Sequence, residues 1–335
     1  MIDYLSILFK VKHIPFGKTV SYSDTREGHK IHYQRKLKVR NYNTSLSVHS
    51  KQNGALIEVS GNFVKFIQGH NIFGTNNLQG LCRDVLLELT KRLEINLSQL
   101  DLNEVLKGSY KVQCVDIAGN YRITSRDEVP KVIRGIEMHA RDLGEDVSNY
   151  GRETVYFNQH NKNKALKFYD KSAELSKHPL PMDLPERERL LEYSKNLVRA
   201  ELTLGAVELK RCGLDFGHQW TVKMARQLLC EAVASSAVGG EIKRILLPAE
   251  YDELPNAYKL TYRLWVHGDD IRSLFDIQKF RRHRKALQNY KIDIAKPRPK
   301  GSVNMVDIKA CLSPDNMAIF PGFARRSGLL HIPSK

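Results

Sequence analysis

The run NLVRAELTL (196–204) constrains the fold more than any other stretch. Side chains alternate across a strand. Val198, Ala200, Leu202 and Leu204 therefore share one face, and Arg199, Glu201 and Thr203 share the other. Such a segment needs a sheet with one packed face and one polar face, which antiparallel sheets provide. Two further runs read the same way. In 165–171, Leu166 and Phe168 oppose Lys167, Tyr169 and Lys171; in 153–158, Val155 and Phe157 oppose Thr154, Tyr156 and Asn158. The run 112–118 is apolar nearly throughout, with Asp116 at its centre.

The opening MIDYLSILFKVKH has a short apolar patch after an acidic residue and reads as a first strand, not an export signal. SLSVHS (45–50), ALIEVSG (55–61) and NFVKFIQ (62–68) read as short strands. Leu81, Val85, Leu89 and Leu93 predict a helix over 78–93, and Pro130 and Gly144 bracket another over 129–144. LSKHPLPMDLPER (175–187), with its prolines, reads as a loop, and ERERLLEYSK as a short helix. Helices are expected over 221–238, 270–275 and 276–290. Strands and helices do not alternate as βαβ units. The expected class is α+β, an antiparallel sheet with flanking helices over 1–215, then a smaller helical module over 216–295. Residues 296–335 read as a basic linker, KPRPKG, and a weakly patterned C-terminal tail.

The chain has 335 residues, with 53 Lys and Arg against 37 Asp and Glu, a formal net charge of +16. That excess predicts a polyanionic partner, nucleic acid or an acidic membrane surface. The five cysteines (Cys82, Cys114, Cys212, Cys230 and Cys311) form no CxxC pair, so neither a disulfide framework nor a zinc knuckle is legible. Reduced thiols in a cytoplasm are the simplest account. No run approaches the roughly 18 apolar residues of a spanning helix, and no membrane association is expected.

An aspartate inside an apolar strand is costly unless it is paired or bound to a metal. Asp116 therefore forms a salt bridge to Arg199 or a lysine, or it joins Glu201 in a hard oxygen site for Mg²⁺ or Mn²⁺. If the strands are neighbours, Asp116, Glu201, Tyr169 and Lys171 meet on one face. A tyrosine there is either a half-buried strand residue or a nucleophile toward phosphorus. Its phenol, with an ordinary pKa of about 10, then needs a cation nearby, and Lys171 is the candidate.

Five segments in matching order resemble the gene II replication endonucleases of filamentous phages: MID, IQGHNIFGTNNL (67–78), CVDIAG (114–119), ALKFYDKSAEL (165–175) and NLVRAELTL. The last two, with TVYFNQHNKNK before them, also look like the tyrosine hairpin of rolling-circle initiators from Gram-positive plasmids. The resemblance implies a nicking domain that cuts a double-stranded origin, forms a 5′-phosphotyrosine and later reseals the displaced single strand. It implies Tyr169 as nucleophile, Lys171 as its charge partner, Asp116 and Glu201 as metal ligands, and Arg199 as a phosphate clamp. It also implies Mg²⁺ or Mn²⁺ as cofactor, a host helicase and replication machinery as partners, and the bacterial host cytoplasm as location. His70 is a candidate third ligand or a turn histidine bonded to backbone, and Tyr156 is a reserve nucleophile. The wider pattern of two histidines around one apolar residue is missing: His29 and His32 are separated by two residues.

Residues 276–300 hold nine Lys or Arg and two Asp. Lys279, Arg281, Arg282, Arg284 and Lys285 crowd one helix behind a shorter one, which resembles a helix-turn-helix DNA reader. Two other functions fit the same residues: a DNA-binding regulator without catalysis, and a metal-dependent nuclease that uses water.

Overall fold

The structure is a computed structural model that describes residues 1–23, 30–34, 36–142, 147–151, 153–236, 246, 248–290, 292–295 and 307–333. The described residues form two compact units, one drawn from Met1–Gly239 and Ile308–Lys335, the other from Gly240–Asp307.

In the first unit the strands are β1 (Ile2–Lys10), β2 (Thr19–Ser23), β3 (Lys30–Gln34), β4 (Leu37–Asn41), β5 (Thr44–Lys51), β6 (Leu56–Asn62), β7 (Lys111–Arg122), β8 (Val147–Tyr150), β9 (Thr154–Phe157), β10 (Lys164–Asp170) and β11 (Leu197–Gly205). Among the described residues, nine of them form one sheet in the order β4-β5-β6-β1-β7-β11-β10-β9-β8, paired antiparallel throughout. β2 and β3 pair antiparallel as a separate two-stranded sheet. Its helices are α1 (Phe63–Gln68), α2 (Leu78–Arg92), α3 (Gln99–Leu106), α4 (Val129–Asp142), α5 (Lys171–Lys177), α6 (Arg187–Ser194), α7 (Ala206–Arg211) and α8 (Met224–Ser235). The sheet shows the predicted two faces. Leu5, Ile7 and Phe9 of β1 are fully buried, and Tyr4, Ser6 and Leu8 between them are half-buried.

Local chemistry sets the element ends. NFVKFIQ is helical rather than extended, because the Asn62 side chain accepts from Lys65 N at 2.7 Å and caps the turn. Gly69, at φ +82°, ends that helix in the left-handed region. The strand expected over 165–171 stops at Asp170, whose carboxylate accepts from Ala173 N at 3.1 Å. Lys171 therefore opens helix α5, which extends to Lys177, so the proline-bearing loop starts later than expected.

The units divide elsewhere than at 215/216 and 295/296. α8 belongs to the sheet: a Cβ on Gly119 of β7 would lie 2.5 Å from Leu229, so the bare glycine lets the helix pack close. The tail also returns to the first unit, through α13 (Ile308–Cys311) and α14 (Gly322–Arg326). There Ala324 and Leu329 are buried with Ile72, Phe73, Leu175, Leu180, Leu184, Leu190 and Leu197.

The second unit contains α9 (Pro248–Glu253), α10 (Asn256–His267), α11 (Ile271–Leu274) and α12 (Ile277–Gln288). Its own core includes Leu254, Tyr262, Trp265, Ile271, Phe280, Leu287 and Ile292. Among the described residues, the basic helix is thus the last of this unit's helices. The linker KPRPKG (296–301) and His29 lie outside the described residues; His32 falls in β3.

Candidate active site

β11 lies between β7 and β10, and the register carries the chemistry. Lys167 stands directly opposite Glu201, Tyr169 opposite Arg199, and Asp116 opposite Thr203. Directly opposed residues project to the same face, so three strands from distant parts of the chain gather these side chains on one surface. Tyr169 donates to Glu201 Oε2 at 3.1 Å, and Lys167 Nζ lies 2.5 Å from Glu201 Oε1. The same ammonium sits 5.1 Å from the centre of the Tyr169 ring. Thr203 donates to Asp116 Oδ1 at 2.7 Å. Tyr156, opposite Lys167 on β9, is half-buried on the same face.

Toward the start of β11 this face is covered by the loop that follows α1. Arg199 is fully buried; it donates to Asp3 Oδ2 at 2.7 Å and to the Asn71 carbonyl at 2.5 Å. Asn120, opposite Arg199, donates to the Ile72 carbonyl at 2.5 Å. Asp3 also accepts from Asn62 and Asn71. Lys171, likewise buried, donates to Asn71 Oδ1 at 3.0 Å and to Glu174 Oε2 at 2.7 Å. Tyr169 lies between the covered and open parts and is 7 % exposed. Its hydroxyl is bonded to Glu201, and Arg199, Asp3 and Glu174 are among its charged neighbours.

The electrostatics follow from this crowding. Burial pushes the Tyr169 phenol well above its ordinary pKa; Arg199 opposes that push and Glu201 adds to it. Burial works against the Lys167 ammonium, yet Glu201 beside it carries its pKa upward. Burial and then Arg199 bring Lys171 down to about 8. Burial also works against the Asp3 carboxylate, but Arg199, Lys171 and two asparagine amides hold it below the usual range. Asp116 goes the other way, raised to about 7 by burial and by Glu201. Three cations (Lys167, Lys171 and Arg199) face four acids (Asp3, Asp116, Glu174 and Glu201), so the cluster has one acid in excess. Asp116 carries that imbalance.

Several expected roles fall differently. Lys171 is held by Asn71 and Glu174, and the ammonium beside the phenol belongs to Lys167. Arg199 is a buried anchor, with its guanidinium committed to Asp3 and Asn71 instead of facing solvent. His70 is fully buried: Nε2 donates to the Leu329 carbonyl at 2.8 Å, and Nδ1 accepts from Ile72 N at 3.3 Å. Burial lowers its pKa to about 4 and keeps the ring neutral. Both ring nitrogens are already engaged by backbone, so the turn-histidine arrangement is the one this geometry has and neither nitrogen is turned to a metal. Among the described residues no three His, Cys, Asp or Glu side chains are grouped to hold a metal ion. Asp3, Asn71 and Lys167 are the site residues that pattern reading overlooked. Lys167 was discoverable, because it shares the strand face of Tyr169 two residues earlier. Asp3 and Asn71 carried no signal beyond lying in MID and IQGHNIFGTNNL.

In the second unit, Arg281, Arg282 and Lys285 of α12 are exposed. Arg284 instead forms a bidentate pair with Asp293, at 2.7 and 2.9 Å, and Lys279 Nζ sits 4.2 Å from the centre of the Phe275 ring. Phe280, His283 and Leu287 face the core.

Comparison with known proteins identifies the family. The replication-associated protein (gene II protein) of Enterobacteria phage I2-2 is 28% identical over 309 residues, 88% of each chain. The rolling circle replication initiator protein from Geobacillus stearothermophilus, 14% identical, aligns over 89% of this chain and 98% of its own with a TM-score of 0.28, too low to bear on the fold. The family described as the N-terminal region of the phage gene II replication-associated protein matches residues 1–223, which include every residue of the Tyr169–Glu201 cluster, and the chain belongs to that family.

Proposed function

We propose that this chain is a DNA nicking-closing enzyme that starts and ends rolling-circle replication. The observation that carries the reading is the Tyr169 hydroxyl held 3.1 Å from Glu201, with Asp116 and Lys167 on the same sheet face. The Tyr169 oxygen attacks a backbone phosphorus, and the bond from phosphorus to the 3′ oxygen breaks. The 5′ phosphate is then joined to the tyrosine, and the electron pair leaves with the 3′ oxygen, which primes synthesis. The phenolic proton has an acceptor in Glu201 Oε2, within ordinary proton-transfer reach. Lys167 supplies positive charge where the phosphorane becomes more anionic. Reversal by an incoming 3′ hydroxyl reseals the strand without an external energy source, because the phosphotyrosine conserves the bond.

Asp116 and Glu201 suit a divalent cation. They are two neighbouring acids, one of which, Asp116, is raised to about 7 by burial and then by the charge of the other, and Mg²⁺ commonly takes one or two carboxylates plus substrate phosphate. Mg²⁺ or Mn²⁺ held there would polarise the scissile phosphate. Tyr156, on the same face, is positioned for a second transfer. In the second unit, the exposed Arg281, Arg282 and Lys285 serve origin binding, with phosphate contacts dominating affinity. The displaced strand requires a host helicase, and the reaction takes place in the bacterial host cytoplasm. No helix among the described residues is long and apolar enough to cross a membrane.

One observation favours a second reading, water as nucleophile: Tyr169 is 7 % exposed, whereas Asp116 is half-buried. Supercoiled origin DNA incubated with the protein and Mg²⁺ or Mn²⁺, then denatured and digested, separates the two. A DNA-linked peptide containing Tyr169 supports covalent catalysis. Undiminished cleavage by Tyr169→Phe with no adduct supports hydrolysis.

A further inference from the structure

The family match ends at residue 223, yet the last described stretch of the chain packs into the same unit as Tyr169. Its contacts concentrate on the loop that covers the buried end of the site. The Leu329 carbonyl accepts from His70 Nε2 at 2.8 Å, and His331 N donates to Gln68 Oε1 at 3.0 Å. Ala318 N donates to the Asn120 carbonyl at 2.8 Å, while the Asn120 side chain holds the Ile72 carbonyl. His331 reaches Asp84 of α2 at 2.9 Å, and Tyr193 of α6 donates to the Ile319 carbonyl at 2.7 Å. Ala324 and Leu329 pack with Ile72 and Phe73 of that loop and with Leu175 of α5.

Asn71 lies between the two residues so held. Its carbonyl takes Arg199, its amide nitrogen donates to Asp3, and its amide oxygen takes Lys171. Arg199 in turn stands opposite Tyr169. The hydrogen bond between Leu329 and His70 and those of Asn71 with Arg199 and Lys171, joined by the peptide link between His70 and Asn71, thus connect the tail to the strand pair that carries the nucleophile.

We infer that residues 317–331 are a positioning element of the nicking site, acting through His70 on Asn71, Arg199 and Tyr169. The inference rests on the nicking function proposed above. The segment touches none of the reacting atoms. It fixes the loop, and the loop fixes the rung on which the phenol sits. Displacements near 1 Å at a reacting group can cost about a hundredfold in rate, so a contact this remote can govern the chemical step.

The test compares His70→Phe, which fills the ring volume without a donor, with His70→Gln, which restores an N–H toward the Leu329 carbonyl. Both are made in the full chain, alongside Ala324→Asp, which unseats the segment from its buried site. Single-turnover nicking at saturating origin DNA is measured beside origin affinity and thermal unfolding. We expect the His70→Phe rate constant to fall about tenfold with the dissociation constant within about twofold of the parent, and His70→Gln to recover most of the loss. Ala324→Asp, if folded, should behave as His70→Phe does. Parental nicking by folded His70→Phe overturns the inference, as does a loss of affinity and rate together that His70→Gln fails to rescue. Should Ala324→Asp not fold, the His70 pair decides alone. Absence of nicking by the parent protein would instead refute the proposed function.

Discussion

The Tyr169 hydroxyl donates to Glu201 across the β10–β11 pair at 3.1 Å, and Lys167 holds the other oxygen of that carboxylate at 2.5 Å. Glu201 therefore touches both the candidate nucleophile and the cation beside it. Replacing Tyr169 by Phe removes the attacking oxygen and little else. The expected outcome is loss of the denaturation-resistant DNA adduct and a fall in nicking of at least about a thousandfold. The folding cost should stay near 1 kcal/mol, the usual worth of one hydrogen bond. Gel assays on supercoiled DNA and thermal melts measure the two separately.

Lys167 and Lys171 should part company. Lys167→Met leaves the covered cluster intact and should slow cleavage about 10- to 100-fold while the protein stays folded. Lys171→Met deprives Asn71 and Glu174 of a buried donor and should appear first as a lower melting temperature. Equal catalytic losses with equal melting temperatures would contradict this division.

Asp116 predicts a pH dependence with a definite sign. Its folded-state pKa, raised to about 7, exceeds the ordinary aspartate value of 3.8. Between those values the folded chain binds more protons than the unfolded chain, so this group's contribution to stability declines as pH rises through that window. Asp116→Asn should match the parent near pH 4 and be more stable by pH 8 without divalent metal, by on the order of 2 kcal/mol. Mg²⁺ or Mn²⁺ should stabilise the parent at pH 8 and leave the variant unmoved. Denaturant melts across pH, with and without metal, test both statements.

Arg199 and Asp3 form a buried ion pair, and severing one is costly because the remaining charge stays buried. Arg199→Met should destabilise the first unit by about 3–5 kcal/mol. Adding Asp3→Asn, which removes the orphaned charge, should recover part of the loss. Chemical denaturation of the two single variants and the double variant gives the coupling.

On α12 the basic residues should separate by partner. Arg281→Ala, Arg282→Ala and Lys285→Ala should each weaken origin binding and reduce the salt dependence by about one counterion. Arg284→Ala breaks the bidentate contact to Asp293 and should lower the stability of the second unit more than its DNA affinity. Titrations at several salt concentrations distinguish these effects.

Strict alternation in 196–204 and 165–170 made the two-faced sheet legible from sequence, and with it the company of Tyr169, Glu201 and Asp116. The pattern failed where a side chain overrode it. Asn62 turned NFVKFIQ into a helix, and Asp170 ended β10 one residue before Lys171. Which lysine faces the phenol depends on that last turn of backbone. Alternation also cannot distinguish an open polar face from a covered one, so Arg199 read as a clamp although a loop from residues 69–77 buries it. The tail's role was invisible for a related reason. Its ties to the site run mainly through backbone carbonyls and amides, such as those of Leu329, His331 and Ala318, and these leave no mark in residue type.

The rung-by-rung pairing of β10 with β11 also limits how the gene can drift. Inserting one codon within β10 ahead of Tyr169 would turn the phenol toward the oily side, and inserting one within β11 ahead of Glu201 would turn that carboxylate away and bring Ala200 to the reactive surface. The tip at 158–163, where the Asn161 side chain caps the return of the chain, lies outside those rungs. Length variation tolerated by a working protein should therefore collect at that tip and be absent from the strands on either side.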